Sequence, residues 1–239
     1  MKSVSVCMAT YNGSAYVADQ LASILSQLSD DDEVIVCDDG SSDATVGIIQ
    51  SFDDARIRLF ENSQNVGYIK NFERALGLSS GKYIFLSDQD DIWPAGRVER
   101  MIAAMRDTGK MMVVGSTESF CNDIEDRAFF CGYGTARDST YGRNVTDLVL
   151  GRVVPYFGSS MLISSELKSH ILPFHSALIS HDIWMFFVAN RLRSICHLHE
   201  IVTYRRVHAA NVSTRKRGML DKVRTRMTWL TVLFDLYRR

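Results

Sequence analysis

The amino-acid sequence predicts an α/β protein, a mostly parallel central sheet with helices on both faces. Two observations carry this. Short apolar runs alternate with segments whose apolar residues recur at helical spacing through the first 115 residues, the pattern of strands joined by crossover helices. Polar or acidic residues also stand directly after three of the runs, and in such sheets ligands bind beyond the carboxyl ends of the strands.

Val4, Val6 and Met8 alternate with smaller or more polar neighbours and predict a first strand. Ser14 is a candidate cap for a helix carrying Val17, Leu21, Ile24, Leu25 and Leu28. Glu33–Cys37 is a short apolar run, the second strand, and Asp43 can cap a helix with Val46, Ile49 and Phe52 inward. Ile57–Phe60 is the third strand. Ile69, Phe72 and Leu76 mark a third helix ending near Gly81, and Tyr83–Leu86 is the fourth strand. Pro94 suits the first turn of a fourth helix with Val98, Met101, Ile102 and Met105, followed by a fifth strand at Met111–Val114. Residues 116–150 show no clear period. Beyond them, Phe157–Ile163 predicts a strand, Ser180-His181-Asp182 opens a helix through Leu192, and Ile195–Tyr204 predicts one or two strands.

Composition narrows the function. The 239 residues are 46% hydrophobic and 23% charged, which excludes a disordered chain. The net charge of −1 gives no overall basic footprint for nucleic acid. Cys7, Cys37, Cys121, Cys131 and Cys196 contain no C-x-x-C pair, so they are expected as buried small hydrophobes in a reducing compartment, with no disulfide framework or zinc ribbon. The N-terminus lacks a signal-peptide core, and no stretch approaches the ~20 apolar residues of a membrane span. The glycosylation sequons at Asn12, Asn144 and Asn211 are then expected to be chance matches. Residues 215–239 differ from the rest, with eight Lys/Arg against two Asp among regularly spaced apolar residues. That is a basic amphipathic helix, suited either to an anionic membrane surface or to packing on the domain with a solvated basic face.

Three strand ends hold the chemistry. The first presents Thr10-Tyr11-Asn12-Gly13, with an aromatic face for a nucleobase in place of G-x-G-x-x-G, which disfavours a nicotinamide or flavin site. The second presents Asp38-Asp39, able to hydrogen-bond a nucleoside or to form an ordinary Asp-Gly turn with Ser41 or Asp43 as cap. The fourth presents Ser87-Asp88-Gln89-Asp90-Asp91. In an extended chain Asp88 and Asp90 sit ~7 Å apart on one face. Two such carboxylates fit Mg2+ or Mn2+ bridging diphosphate oxygens; a solvated acidic turn with Asp91 or Ser87 as helix cap fits them equally well. Asp182, at a helix start, is a capping-turn residue or a general base, and His208 a surface histidine or a ligand.

Taken together, these residues resemble the family-2 glycosyltransferases of the GT-A fold. The likeness runs in order through Met8-Ala-Thr-Tyr-Asn-Gly13, Val36-Cys-Asp-Asp-Gly-Ser-Ser-Asp43, Asn65-Val-Gly67, Phe85-Leu-Ser-Asp-Gln-Asp-Asp-Ile-Trp93, Phe157-Gly-Ser-Ser160, His181-Asp182 and Tyr204-Arg-Arg-Val-His208. The Ser-Asp-Gln-Asp-Asp-Ile-Trp version looks like the bacterial branch that builds O-antigen and capsule repeats, which includes rhamnosyl- and glucosyltransferases.

The resemblance implies a GT-A domain over 1–212, with a nucleotide-sugar half (1–115) and an acceptor half (116–212), and a tail at 213–239. Tyr11 and Asp39 would hold the nucleobase, with Thr10, Asn12, Asp38 and Asn65 close by. Asp88 would face ribose and metal, and Asp90 would be the principal ligand of a divalent cation, Mn2+ or Mg2+. His208 would complete that site. Asp182 would be the catalytic base of an inverting transfer, with Gly158, Ser159 and His181 on the acceptor side. His181 stands where the family usually has an acid. The implied donor is a nucleoside-diphosphate sugar, UDP-hexose or alternatively dTDP-rhamnose, and the acceptor a lipid-linked saccharide. The chain would then be cytoplasmic and peripheral on the inner membrane face through 215–239, with no nucleic acid partner. A nucleotidyltransferase would want a Gly-rich basic loop after the first strand, which is missing. A glycosidase would have no need of nucleotide-like strand ends, and a non-catalytic sugar-nucleotide-binding protein would release no nucleoside diphosphate to an acceptor.

Overall fold

The computed structural model describes residues 3–121, 127–131, 138–152, 156–208 and 218–238. Asn211, Arg215, Lys216 and Arg217, the 212/213 boundary and the side chain of Cys131 lie outside the described residues.

The chain folds as β1 (Val4–Thr10), α1 (Val17–Leu25), β2 (Glu33–Asp38), α2 (Thr45–Ser51), β3 (Ile57–Glu61), α3 (Tyr68–Leu78), β4 (Tyr83–Ser87) and α4 (Arg97–Thr108). The second half adds β5 (Met112–Phe120), β6 (Arg127–Cys131), α5 (Tyr141–Val149), β7 (Met161–Ser164), α6 (Ser165–Ile171), α7 (His181–Arg191), β8 (Ile195–Arg206) and α8 (Met219–Arg238). All eight strands form one sheet in the order β3-β2-β1-β4-β7-β5-β6, with β8 also paired to β5. β1, β2, β3 and β4 pair in parallel, as does β5 with β8, whereas β7 runs antiparallel to β4 and β5, and β6 to β5.

Side-chain alternation along the strands sorts the core onto the two faces. Val6, Met8, Val34, Val36 and Phe85 face α1, α2 and α4; Cys7, Ile35, Cys37, Ile84 and Leu86 face α3, α6 and α7. Each of these side chains is fully buried, worth about 1.5–3 kcal/mol for a Val, Ile, Leu, Met or Phe. Cys7, Cys37 and Cys196 are buried as expected; Cys121 is exposed.

Several local expectations are corrected. α1 begins at Val17 rather than behind Ser14, because the Gly13 carbonyl accepts the Tyr16 and Val17 N–H groups. The N-cap of α2 is Ala44, which makes no side-chain cap bond; Asp43, one residue before it, accepts the Thr45 N–H at 3.0 Å and the Ser14 N–H at 3.1 Å. These bonds outweigh burial and hold the Asp43 carboxyl down at about 2. α3 stops at Leu78, short of Gly81, and Pro94 precedes α4, whose N-cap is Gly96 in the left-handed region at φ 73°. Residues 157–163 are not one strand: Gly158–Ser160 forms a 3-10 turn and β7 starts at Met161. The region without a period contains the second half of β5, together with β6 and α5.

Candidate active site

The cleft lies over the carboxyl ends of β1, β2 and β4. Thr10 and Asp38 are in register across β1 and β2, and the Thr10 hydroxyl donates to Asp38 Oδ2 at 2.8 Å. Asp38 also accepts the Ser41 N–H at 2.8 Å and the Ser41 hydroxyl at 2.6 Å. Both residues are buried, so they shape the loop from below. Asp39 accepts Asn62 Nδ2 at 2.8 Å and the N–H groups of Val66 and Gly67 at 2.8 and 2.9 Å. It thereby folds the exposed Asn65-Val66-Gly67 segment, where Gly67 takes φ 87°.

The Tyr11 side chain is 48% exposed above this floor. Its backbone is clamped by Gln89, whose Oε1 accepts the Tyr11 N–H at 2.8 Å and whose Nε2 donates to the Tyr11 carbonyl at 3.1 Å. A Cβ at Gly13 would lie 2.2 Å from Gln89 Oε1, so only glycine admits the clamp. Asn12, at φ 47°, accepts the Ser42 N–H at 2.8 Å on its Oδ1.

After Ser87 the chain turns, so Asp88 and Asp90 are not spread along an extended strand. Carboxylate oxygens of Asp88, Asp90 and Asp91 all lie within 4.8 Å of one another. Asp91, expected as a helix cap, is buried within this cluster. Ile92 exchanges both backbone hydrogen bonds with Tyr204, each 2.9 Å, which joins the acidic loop to β8. The end of β8 then reaches the cluster. The Arg206 N–H donates to Asp91 Oδ1 at 3.3 Å, Arg206 Nε to the Asp90 carbonyl at 3.3 Å, and His208 Nε2 lies 2.8 Å from Asp90 Oδ2. The His208 ring stacks on Tyr16 at 4.4 Å.

Burial, then the charges of Asp91, Asp90 and Asp182, push the Asp88 carboxyl well above its usual range. Burial and Asp90 push Asp91 up to about 7, while Arg205 and the Arg206 N–H pull it back. Three gathered hard-oxygen donors that repel one another fit a divalent cation, which removes that repulsion and prefers oxygen ligands. Beneath them Arg97 is fully buried. It donates to the Thr203 hydroxyl at 2.8 Å and the Ser159 carbonyl at 2.6 Å, and lies 4.0 Å over the Trp93 ring. Burial lowers its guanidinium to about 9 against the pull of Asp91.

Asp182 opens α7, where Ser180 Oγ and the Ile183 N–H (2.8 Å) both donate to its Oδ1. Its charge is felt at Asp88 across the cleft. A Cβ on Gly158 would lie 2.8 Å from His181 Nε2 and 3.7 Å from Asp182 Cβ, so that turn abuts the start of α7. His181 stacks on Phe72 at 4.2 Å, and burial pushes its imidazole down to about 3, so it is neutral. Gly158 and His181 therefore border Asp182, whereas Ser159 is buried beneath the acidic cluster. Gln89, Asp91 and Arg206 stand within the motifs of the sequence without a site role of their own there, and Arg97 stands outside them. For Asp91 a signal existed in the run of acids; for Arg97 and Arg206 the partners are distant in sequence.

An open sheet with an acidic cluster beyond its parallel strand ends, and a carboxylate across the cleft from it, defines the nucleotide-sugar transferase class with the GT-A fold. The comparisons with known proteins give the family. The model for glycosyl transferase family 2 matches residues 5–166, and the chain belongs to that family. It is 34% identical over 120 residues to the Escherichia coli UDP-Glc:alpha-D-GlcNAc-diphosphoundecaprenol beta-1,3-glucosyltransferase WfgD, covering 50% of this chain and 47% of WfgD. It is 26% identical over 220 residues to the Escherichia coli enzyme WfaP of the same description, covering 90% of this chain and 82% of WfaP. The chain thus spans about half the length of WfgD and most of WfaP. Its fold matches Staphylococcus aureus TarS in complex with UDP-GlcNAc at a TM-score of 0.70 and 19% identity, over 91% of this chain and 62% of that structure.

Proposed function

We propose that the chain is an inverting, divalent-cation-dependent hexosyltransferase. On this reading it moves the sugar of a UDP-hexose to a hydroxyl of a saccharide carried on a lipid diphosphate, in bacterial surface-polysaccharide synthesis. The observation that carries the reading is the gathering of Asp88, Asp90 and Asp91 carboxylate oxygens within 4.8 Å of one another beyond the end of β4, with the charge of Asp182 near enough to act on Asp88. The descriptions of WfgD and WfaP support the donor and acceptor classes.

Tyr11 stacks on the base, Asp39 and Asn65 border it, and Thr10, Asn12 and Asp38 hold the loop that presents it. Asp88, Asp90 and His208 hold the cation, Mn2+ or Mg2+, with Asp91 beside them. When bound, the cation neutralises the charge that develops on the departing diphosphate. Asp182 takes the proton of the acceptor hydroxyl. The acceptor oxygen forms its bond to the anomeric carbon as the bond to the diphosphate breaks, and the nucleoside diphosphate leaves with the electron pair. A single displacement inverts that carbon. Gly158 and His181 shape the acceptor side. Arg205, whose charge lowers both Asp88 and Asp91, stands beside the diphosphate position.

Among the described residues no helix is long and apolar enough to cross a membrane. The reading puts the chain on the cytoplasmic side of the plasma membrane, beside its lipid-linked acceptor, as a peripheral protein held through residues 215–239.

The test is Asp182→Asn assayed with UDP-glucose, UDP-galactose and dTDP-rhamnose against a synthetic lipid-diphosphate GlcNAc acceptor. Transfer is expected to fall by ~10²–10⁴-fold with the Mn2+-dependent thermal shift by UDP retained. Near-normal turnover removes Asp182 from the role of base, and turnover with dTDP-rhamnose alone replaces the hexose assignment.

A further inference from the structure

α8 carries apolar side chains on two sides. Val232 and Leu236 are buried against the domain, with Trp229 and Leu233 packed beside them. A second row, Leu220, Val223, Met227, Leu230, Phe234 and Tyr237, is 49–86% exposed. Steps of three and four residues align these six along ~26 Å of helix. Continuous apolar surface on this scale marks an interaction site, unlike scattered single residues.

The row is joined to the active site. Leu220, Val223 and Met227 wall a groove of about 650 Å³ whose other side is Ala177. Ala177 belongs to the loop 172–180 that leads into Asp182. In that loop His175 Nε2 lies 3.2 Å from Asp235 Oδ2 of α8, and the Ile179 carbonyl accepts the Tyr68 hydroxyl at 2.7 Å. One short loop therefore links the outer helix to the base.

We propose that this row seats in the surface of an anionic lipid bilayer, which turns the Asp182 side of the cleft towards the membrane. Charge selects the occupant. Residues 215–239 carry a net +6, so the remainder of a chain of overall −1 carries −7. Arg224 and Arg238 border the row, and Arg238 lies 4.0 Å over the Phe234 ring. A second copy of the helix would bring like charge against this face, whereas anionic headgroups bring the opposite charge and acyl chains take the apolar row. The orientation relative to a lipid-linked acceptor rests on the proposed function; the binding itself does not.

The test is sedimentation of the full chain with vesicles of phosphatidylcholine alone and of phosphatidylcholine with about one-third phosphatidylglycerol. The wild type is expected to bind the anionic vesicles at least ~10-fold more tightly than the neutral ones. The double variant Leu230→Glu/Phe234→Glu is expected to lose that binding while keeping its melting temperature and its thermal shift with UDP and Mn2+. Overturning results are equal binding by the variant, no binding by the wild type, or a wild-type dimer in solution that the double variant dissociates, which would assign the row to a second copy. Absence of sugar transfer alongside vesicle binding would strike the proposed function and leave this inference standing.

Discussion

His208 Nε2 lies 2.8 Å from Asp90 Oδ2 although 118 positions separate them. The Ile92–Tyr204 bridge and the Arg206 contacts to Asp90 and Asp91 bring the end of β8 onto the acidic loop. Tyr16 then fixes the imidazole plane by stacking at 4.4 Å. A side chain held this way orients the carboxylate it touches. Asp90→Asn is expected to abolish the Mn2+-dependent part of the UDP thermal shift, and His208→Ala to weaken it ~10–100-fold. Calorimetric titration of UDP with and without Mn2+ checks both. Unchanged affinity in His208→Ala would leave that histidine as a prop for β8 only.

Arg97 is the cation beneath the cluster, bonded to Thr203 and the Ser159 carbonyl and stacked on Trp93. Its removal takes the donor from the buried Thr203 hydroxyl and Ser159 carbonyl and leaves a cavity against Trp93. Arg97→Ala is expected to cost about 3–5 kcal/mol of stability. The measurement is a urea transition whose midpoint falls with an unchanged slope. Arg97→Lys recovers only part, because an ammonium cannot reproduce two directed bonds and a planar stack.

The first four strands were legible because local pattern and tertiary burial agree there. Val34 and Val36 face one side and Ile35 and Cys37 the other, so an apolar run and a doubly covered strand are the same fact. Strand direction leaves no such mark, and β7 reads as another apolar run while lying antiparallel between β4 and β5. The polar stretch Ser116–Ser119 gave no strand period because it is buried by pairing with β8 and β6. Asp88 and Asp90 could be read from their place after an apolar run. The burial of Asp91 could not, since it depends on Arg206 and Arg97 contributed by other elements.

His181 gives the fold an acid-sensitive position. Burial holds its imidazole neutral, down to about 3, in the stack with Phe72. An unfolded chain takes up the proton near pH 6.5, while the folded protein resists it until about pH 3. Stability therefore falls as pH drops through this window, by about 1.4 kcal/mol per unit from this group. Glu33, lowered to about 2 by bonds from Ser5, Ser80 and Arg58 that outweigh its burial, adds a loss at lower pH. Urea unfolding at pH 7 and pH 5 should show a wild-type loss about 2 kcal/mol larger than that of His181→Leu. Equal losses would mean that the ring is protonated in the fold.

Gly158 sets the distance between the 3-10 turn and the residue preceding Asp182, the proposed base. A methyl group there would approach His181 Nε2 to 2.8 Å and Asp182 Cβ to 3.7 Å. The histidine cannot swing aside, since Phe72 stacks on it at 4.2 Å and Tyr68 meets its edge at 5.9 Å. The start of α7 must shift instead, and Asp182 with it. The Asp39 loop is held by Asn62 and the Val66 and Gly67 N–H groups, away from that turn, and keeps its geometry. Gly158→Ala is thus expected to lower kcat ~10–100-fold, as a base displaced by a few tenths of an ångström to 1 Å does. The UDP affinity without Mn2+ should change less than about twofold, because the Tyr11 and Asp39 loops are held by Gln89, Ser41 and Asn62 rather than by that turn. Steady-state transfer and calorimetry on the same preparation separate the two, and a Gly158→Ala enzyme with wild-type kcat would show that the contact does not position the base.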